Sequence, residues 1–496
     1  MEVRQALSLG DIRSHNTPDD CWIAVSSKVW DVTDLLNNHP GGPEVILKYA
    51  GLDATSAYNE VHAPGMLEET LAAEKFIGDL LPSNDVPPPA TILEAETAQS
   101  TSPQIQTQTQ TQPPVTVQLP SRVPIVCEKP ALHTLISAPD FQEVASHTLT
   151  AKAWAFYSSA ATDLITHSLN KSLIRRILIR PRILRDVKHV SMKRKILGCD
   201  STPPFFISPV AMARLAHPDG ELALARAAGT KGIIQCIGSN ASYPLSAIVG
   251  AGTKNQPSFL QLYVNVDRPK TADLLRKAVS LGVKAIFITV DAPVPGKREA
   301  DERIAAETGV KSAISGAVAG NDKKGGGMGR LMAQYVERGL VWGDVEWIKK
   351  VSGLPVVLKG VQSAEDAVMA VRYGCEGVMI SNHGGRSLDG AQKSILVLLE
   401  VHRICPQIFD SLEVYVDGGF EFGRPYLYSL TYDQEGVEHL TQSVILKDEF
   451  ETSMRICGIT DIDQAHPGLV NTLDVDYLVA KGAEHPYVRW KPRAEM

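Results

Sequence analysis

The sequence predicts a small α+β module joined by a disordered tether to a closed α/β barrel of the (β/α)8 type. Three observations carry that reading. Residues 8–81 hold paired short strands and two histidines on glycine- and proline-bearing turns. Residues 82–124 are poor in large apolar side chains and rich in Pro, Gln and Thr. From 125 to 496 one unit recurs: an apolar strand, a polar or glycine-containing end, then a helical stretch. A chain of 496 residues has room for two or three domains.

Composition narrows the function. The apolar fraction of 44% and charged fraction of 21% are those of an ordinary soluble protein. The net charge of -7 argues against nucleic acid as the main partner. No apolar run is long enough to span a bilayer. Residues 1–11 lack the apolar core of a signal peptide and are too short and Arg-poor for a transit peptide. Seven cysteines are scattered without a CxxC pair, which argues against thiolate metal sites and a disulfide framework. A reducing compartment, cytoplasmic by default, is the expectation.

In the first module, residues 22–25 and 28–32 read as strands around a Ser26-Ser27 turn. Thr33-Asp34 opens a short helix. His39-Pro40-Gly41-Gly42 follows, then a helix-like segment over 43–50, then His62 in Val61-His62-Ala63-Pro64-Gly65. Two histidines on separate loops suit the two axial positions of a haem iron. The stretches His15-Asn16-Thr17-Pro18-Asp19-Asp20-Cys21-Trp22, Val29-Trp30-Asp31-Val32-Thr33, His39-Pro40-Gly41-Gly42 and Tyr49-Ala50-Gly51-Leu52-Asp53-Ala54-Thr55 resemble the cytochrome b5 haem-binding domain. The resemblance implies haem b ligated by His39 and His62, in a cleft of helix pairs over a small sheet.

The tether carries Pro87-Pro88-Pro89, and Gln and Thr alternate over 104–112, broken only by Ile105. So little apolar surface cannot offset chain entropy. An extended, flexible linker follows, which lets the first module swing or merely spaces it.

In the second module, strands read at 204–207, 232–235, 259–263, 285–289, 355–359, 378–381 and 412–416, with helices such as 219–228, 271–281 and 364–373 between them. Alternation of strand and helix implies a parallel sheet. Near-continuous apolar strands imply burial on both faces. A closed barrel with its site at the strand C-terminal ends fits best. A doubly wound open sheet is the alternative, but no GxGxxG follows the first strand. The polar strand ends are Gln261, Tyr263, Thr289, Asp291, Lys359, Ser381, His383, Arg386 and Asp417. A barrel brings them to one face. His383 can trade a proton near neutral pH, and Arg386 can hold a carboxylate in a two-pronged grip. A base beside an anion clamp points to proton abstraction from a small acid; the plain alternative is an ordinary polar loop.

The stretches His217-Pro218-Asp219-Gly220-Glu221, Gln261-Leu262-Tyr263-Val264, Thr289-Val290-Asp291-Ala292-Pro293, Arg298-Glu299-Ala300-Asp301, Leu358-Lys359-Gly360-Val361, Ser381-Asn382-His383-Gly384-Gly385-Arg386 and Asp417-Gly418-Gly419 resemble the FMN-dependent 2-hydroxy-acid dehydrogenase and oxidase family. With the haem module fused ahead, the whole resembles the flavocytochrome b2-type L-lactate dehydrogenases. The resemblance implies His383 as base, oriented by Asp291 and assisted by Tyr263. Arg298 and Arg386 would hold the substrate carboxylate. Lys359 would sit by the flavin N1, and Gln261, Thr289 and Ser381 would bond the isoalloxazine ring. Asp417, Gly418, Gly419, Gly423 and Arg424 would complete the FMN site, with Arg424 on the phosphate. Residues 311–329 would form a mobile loop over the site.

The implied reaction takes a small L-2-hydroxy acid, L-lactate first among them, to pyruvate. Electrons would pass from FMN to haem and then to an acceptor such as cytochrome c. A homotetramer is implied, and the mitochondrial intermembrane space is the alternative to the cytoplasm. Competing readings are a haem electron carrier whose barrel no longer binds FMN, and a 2-hydroxy-acid oxidase using oxygen.

Three departures stand out. Phe156 occupies a position where the family usually has tyrosine, a loss of one bond to a charged group worth roughly 1.5–3 kcal/mol. Gly238 replaces a common flavin-contacting serine, with Ser239 adjoining. Gly418-Gly419 leads through Phe420-Glu421-Phe422 straight into Gly423-Arg424-Pro425. Roughly one strand-helix unit is missing there, with the loop arginine expected near 420, so the barrel is expected to lack its last unit.

Overall fold

The computed structural model describes residues 6–39, 43–55, 58, 67, 71–80, 129–306, 309–418, 423–441 and 445–480. His62, Gly419 and the 82–124 tether lie outside the described residues. The chain divides into two compact units, 1–117 and 118–496. Among the described residues no helix is long and apolar enough to cross a membrane.

The first unit is built on a five-stranded sheet in the order Ala6–Leu7, Phe76–Leu80, Lys28–Asp31, Asp20–Val25, Asn16–Thr17. Ser26 and Ser27 both take positive φ, 51° and 62°, between paired Val25 and Lys28. That is the two-residue turn whose twist matches a hairpin. Alternation then splits the strands between two cores. Cys21, Ile23, Val25 and Trp30 face Leu36, Ile46, Ala50, Ala54 and Leu67, while Ala24 and Val29 face Leu7 and Ile12. The 3-10 helix Thr33–Asn38 ends at His39, which is extended and half-buried.

In the second unit six parallel strands run in the order Gln235–Gly238, Ser258–Leu262, Ala285–Thr289, Val356–Val361, Gly377–Ile380, Glu413–Val416. A single bridge from Ile207 to Gln235 marks the first strand position. The strand expected at 204–207 is reduced to that bridge, since Pro203 and Pro204 have no N–H to give. The strand expected at 232–235 begins three residues later. Gly232, at φ 64°, is spent capping the helix Gly220–Lys231.

Period two decides what each strand contributes. One face, including Ile237, Leu260, Ile288, Leu358, Val378 and Ile380, packs against the surrounding helices. The other points inward: Cys236, Phe259, Phe287, Val357, Met379 and Tyr415 close on Phe206 and Ile196. Phe206 lies 5.5–5.7 Å, centroid to centroid, from Phe259, Phe287 and Tyr415. The hairpin of Arg194–Ile196 and Cys199–Ser201 caps this plug, and the Leu197 N–H donates to the Glu413 carboxylate at 3.0 Å.

Among the described residues the barrel is open along one seam, as the short crossover predicts. Among the described residues Glu413–Val416 pairs only with Gly377–Ile380. Between it and the first strand position lies a cleft of about 1090 Å³, lined by Ile196, Ser201 and Pro204 on one bank and Phe409, Leu412 and Val414 on the other.

The segment 311–329, expected as a mobile loop, contains short regular elements. Val310–Lys311 pairs with Val318–Ala319, and the helix Met328–Met332 follows. Ser312 Oγ donates to the Ser239 and Ala241 carbonyls at 3.2 and 3.1 Å. Ala319, Met328 and Met332 are buried.

The helix Ile165–Ile174 takes its N-terminal cap from a distance. Asp389 accepts from Thr166 N at 2.8 Å, Asp163 N at 3.0 Å and Thr162 Oγ1 at 3.0 Å. Partial burial opposes its charge, but these donors win and hold the carboxyl down to about 2. A carboxyl depressed on folding stabilises above its unfolded value, near 3.9, and loses that contribution as pH falls towards 2. Asp389→Ala is expected to cost about 0.5–2 kcal/mol at pH 7. In urea melts the gap between the two proteins should close between pH 4 and pH 2.

Candidate active site

The residues two positions beyond the apolar plug form the floor of the site. They are Gly238, Gln261, Thr289, Lys359, Ser381 and Asp417, on successive strands. Gln261 Nε2 donates to Thr289 Oγ1 at 2.9 Å, and its Oε1 accepts from Ser239 N at 3.1 Å. Lys359 Nζ reaches Ser381 Oγ at 2.9 Å and Asp417 Oδ2 at 2.8 Å. Burial opposes the Lys359 charge, yet Asp417 and then Asp291 outweigh it and raise its pKa. Gly238 has a local reason: a Cβ there would lie 2.5 Å from the Val210 carbonyl oxygen. Ser239 does not substitute for a free hydroxyl, because its Oγ is tied to Gln261 O at 2.6 Å and Tyr263 N at 3.0 Å.

Above that floor stands His383. Its φ of 59° is followed by 64° at Gly384 and 74° at Gly385, so the chain turns sharply off the strand Gly377–Ile380. A left-handed histidine is uncommon and is held by its surroundings. His383 N donates to Ser381 Oγ at 3.1 Å. Asn382 exchanges two 2.9 Å bonds with buried Asn170. The His383 ring bridges Asp291 Oδ1 at 2.9 Å through Nδ1 and the Tyr263 hydroxyl at 3.2 Å through Nε2. The Asp291 side chain is 0% exposed. Burial pushes its carboxyl up, but the His383 ring and Lys359 outweigh that and hold it below the usual range. An ionised Asp291 takes the Nδ1 hydrogen, which leaves the Nε2 lone pair on the cavity side.

Arg298, Arg386 and Arg424 meet around the same cavity as Tyr263 and His383. Arg386 donates to the Phe156 carbonyl at 2.5 Å, with its guanidinium 5.5 Å from the centre of the Phe156 ring. Burial, then the charges of Arg298 and Arg424, push the Arg386 pKa well down. Burial likewise lowers Arg298, although Asp301 opposes it. The Nε atoms of Arg298 and Arg386 are buried without a partner, and neither residue has a carboxylate within 4.0 Å among the described residues. Clustered cations of this kind are costly until an anion joins them. Arg424 Nη2 lies 3.3 Å from His167 Nδ1, and Gly418, at φ 70°, leaves no space for a Cβ beside Ser394 and Asn382. Gly423 also lines the cavity.

These features fit FMN: a buried ammonium and amide on the floor, an unpartnered Asp417 Oδ1, and Arg424 lining the same cavity. In the first unit His39 offers one imidazole at the end of its helix, in a unit whose apolar cluster includes Leu36, Ile46 and Leu67.

The fold and its mouth define an α/β-barrel enzyme that works on a small anion. Residues 145–472 match the FMN-dependent dehydrogenase model and residues 8–81 the cytochrome b5-like haem/steroid-binding domain. The chain belongs to the FMN-dependent dehydrogenase family, with FMN and haem as its cofactors. It is 37% identical to the L-lactate dehydrogenase (cytochrome) of Saccharomyces cerevisiae, over 96% of this chain and 81% of that one. Identity to the glycolate oxidase of Spinacia oleracea is 35%, over 66% of this chain and 94% of that one. A flavocytochrome b2 variant solved with pyruvate bound superposes with TM-score 0.63 at 36% identity, over 71% of this chain and 90% of that chain.

Asn170 and Lys152 are among the site residues that gave no signal in the sequence, and two features rest on them. One is the bracing of the His383 turn by Asn170. The other is a buried pair, Lys152 Nζ to Asp301 Oδ1 at 2.5 Å, with Asp301 Oδ2 also accepting from Gly329 N at 2.9 Å. That pair ties the helix Ala151–Ser158 to the segment carrying Arg298. Removing one partner strands the other charge, so Asp301→Ala is expected to cost about 3–5 kcal/mol in denaturant unfolding. The double change Lys152→Met with Asp301→Leu should recover most of that loss.

Proposed function

We propose that this protein oxidises a small L-2-hydroxy acid, L-lactate among them, to the 2-oxo acid and delivers the electrons to an external acceptor. The observation that carries the reading is the His383–Asp291 couple beside Arg298 and Arg386, which have no carboxylate within 4.0 Å among the described residues. When bound, FMN takes two electrons from the substrate and haem b passes them on singly.

The chain's own residues supply the rest. Arg386 and Arg298 bind the substrate carboxylate, relieving their own unpaired burial. His383 Nε2 takes a proton from the substrate, and Asp291 keeps the tautomer correct and stabilises the resulting imidazolium. Tyr263, within hydrogen-bond reach of Nε2, positions the reacting centre. Gln261, Thr289 and Ser381 would bond the flavin ring, and Lys359 would offset the negative charge it gains on reduction. Asp417, Gly418, Gly419, Gly423 and Arg424 hold the ribityl phosphate end. His39 and His62 ligate the haem. The domains we assign are 8–81 for haem, 82–124 for the tether and 125–496 for the barrel.

Cytochrome c is the acceptor we favour, which would place the enzyme in the mitochondrial intermembrane space rather than the cytoplasm. We favour self-association through a surface that includes the exposed apolar pair Ile183 and Leu184, 82% and 98% exposed.

Purified protein should show flavin and haem absorption, with L-lactate bleaching the first and reducing the second. A haem spectrum with no flavin would overturn the reading in favour of a haem carrier; peroxide formation independent of His39 would favour an oxidase. His383→Gln should retain FMN while stopped-flow flavin reduction slows by about 10²–10⁴-fold. Phe156→Tyr restores a donor towards the carboxylate and should lower the KM for L-lactate about tenfold.

A further inference from the structure

Asn240 lines the cavity of His383, Tyr263 and Arg386, yet the mechanism above leaves it idle. Its Oδ1 accepts from Ser315 Oγ at 2.7 Å and from the Tyr335 hydroxyl at 3.0 Å. The Met332 carbonyl can only accept, so the end of the amide facing it is nitrogen and the end facing Ser315 and Tyr335 is oxygen. The Nδ2 end carries two N–H bonds. One reaches the Met332 carbonyl at 3.4 Å, long for an amide bond. The other has no acceptor among the described residues.

The rest of this wall is apolar. Phe156, Ala292, Met332 and Ala333 line the cavity with Asn240, which is 7% exposed. A buried N–H left unmade is costly, and a ligand oxygen placed against it recovers the loss. A pocket built to bond a ligand oxygen rejects the analogue lacking it far more strongly than an apolar pocket rejects a missing methylene. We propose that Asn240 reads the side chain of the substrate, and that the preferred L-2-hydroxy acid carries an oxygen on C3 rather than a bare alkyl group. This rests on the oxidation reading above and names its substrate class.

L-Glycerate and L-2-hydroxybutyrate are near-isosteres, with a terminal hydroxyl in one and a methyl in the other. The test is kcat/KM for each with the full chain carrying both cofactors, in wild type, Asn240→Leu and Asn240→Asp. Wild type should favour L-glycerate by about tenfold or more. Asn240→Leu should invert that ratio. Asn240→Asp keeps the shape and the bonds from Ser315 and Tyr335 but loses the donor, and should abolish the glycerate preference. A ratio unchanged across the three proteins overturns the proposal. If neither acid reduces the flavin in any of them, the oxidation reading itself has failed. Thermal shifts with hydroxypyruvate and 2-oxobutyrate then decide the role of Asn240. A hydroxypyruvate advantage lost in both variants supports it, and equal shifts throughout overturn it.

Discussion

The whole second unit depends on one constraint, the strict alternation of side chains along six parallel strands. It sends Leu260, Ile288 and Leu358 outward to the helices and Phe259, Phe287 and Val357 inward to the plug. Two residues further along the same strands the inward position is Gln261, Thr289 and Lys359. Apolar burial and the polar floor are therefore one pattern read at two heights. A slip of one residue in any strand would turn its inward side chains, plug and floor alike, out towards the helices.

Buried charge sets the second level of order. Lys359 has Asp417, Lys152 has Asp301 and His383 has Asp291, each within 3 Å. Each pair fixes a side chain whose desolvation would otherwise be prohibitive. Arg298 and Arg386 depart from this rule. Phe156 offers Arg386 a carbonyl and a ring face, neither of which neutralises it. Lys359, Lys152 and His383 have counter-charges, whereas Arg298 and Arg386 meet no carboxylate within 4.0 Å among the described residues, a mismatch that an incoming anion relieves. This is preorganised electrostatics: the cost of assembling the cations is met in folding, and the incoming anion collects the benefit.

Much of this was legible in the sequence, and for a definite reason. Strand ends that switch from apolar to polar mark the barrel mouth whatever the helices between them do, so Gln261, Lys359, His383 and Asp417 could be grouped before any coordinates. The first two strands were misplaced because prolines and a capping glycine acted locally where apolarity alone suggested pairing. The 311–329 segment read as an open loop because its glycines and charges hide two short strands and the anchoring hydroxyl of Ser312. Asn170, Lys152 and Asn240 were invisible for another reason. Each acts through a partner more than 70 residues away, and no local pattern announces such a pairing.

The open seam poses the sharpest structural question, and its position answers it. Among the described residues strand pairing stops at Glu413–Val416, where the edge should be most exposed. Tyr415 nevertheless joins the ring cluster of Phe206 and Phe287, and Glu413 holds the Leu197 amide. The plug and its capping hairpin thus bridge the ends of the sheet from inside, where a missing strand would have bridged them by hydrogen bonds. At the other end of the barrel Arg424, sited after the short crossover, still reaches His167 and lies 3.5 Å from where a Gly384 Cβ would be. The shortened connection therefore removes backbone pairing at the seam while the arginine that follows it is returned to the mouth. Catalytic geometry and sheet closure are separable here because the polar floor hangs from strands whose inward anchors are aromatic, and those anchors are present.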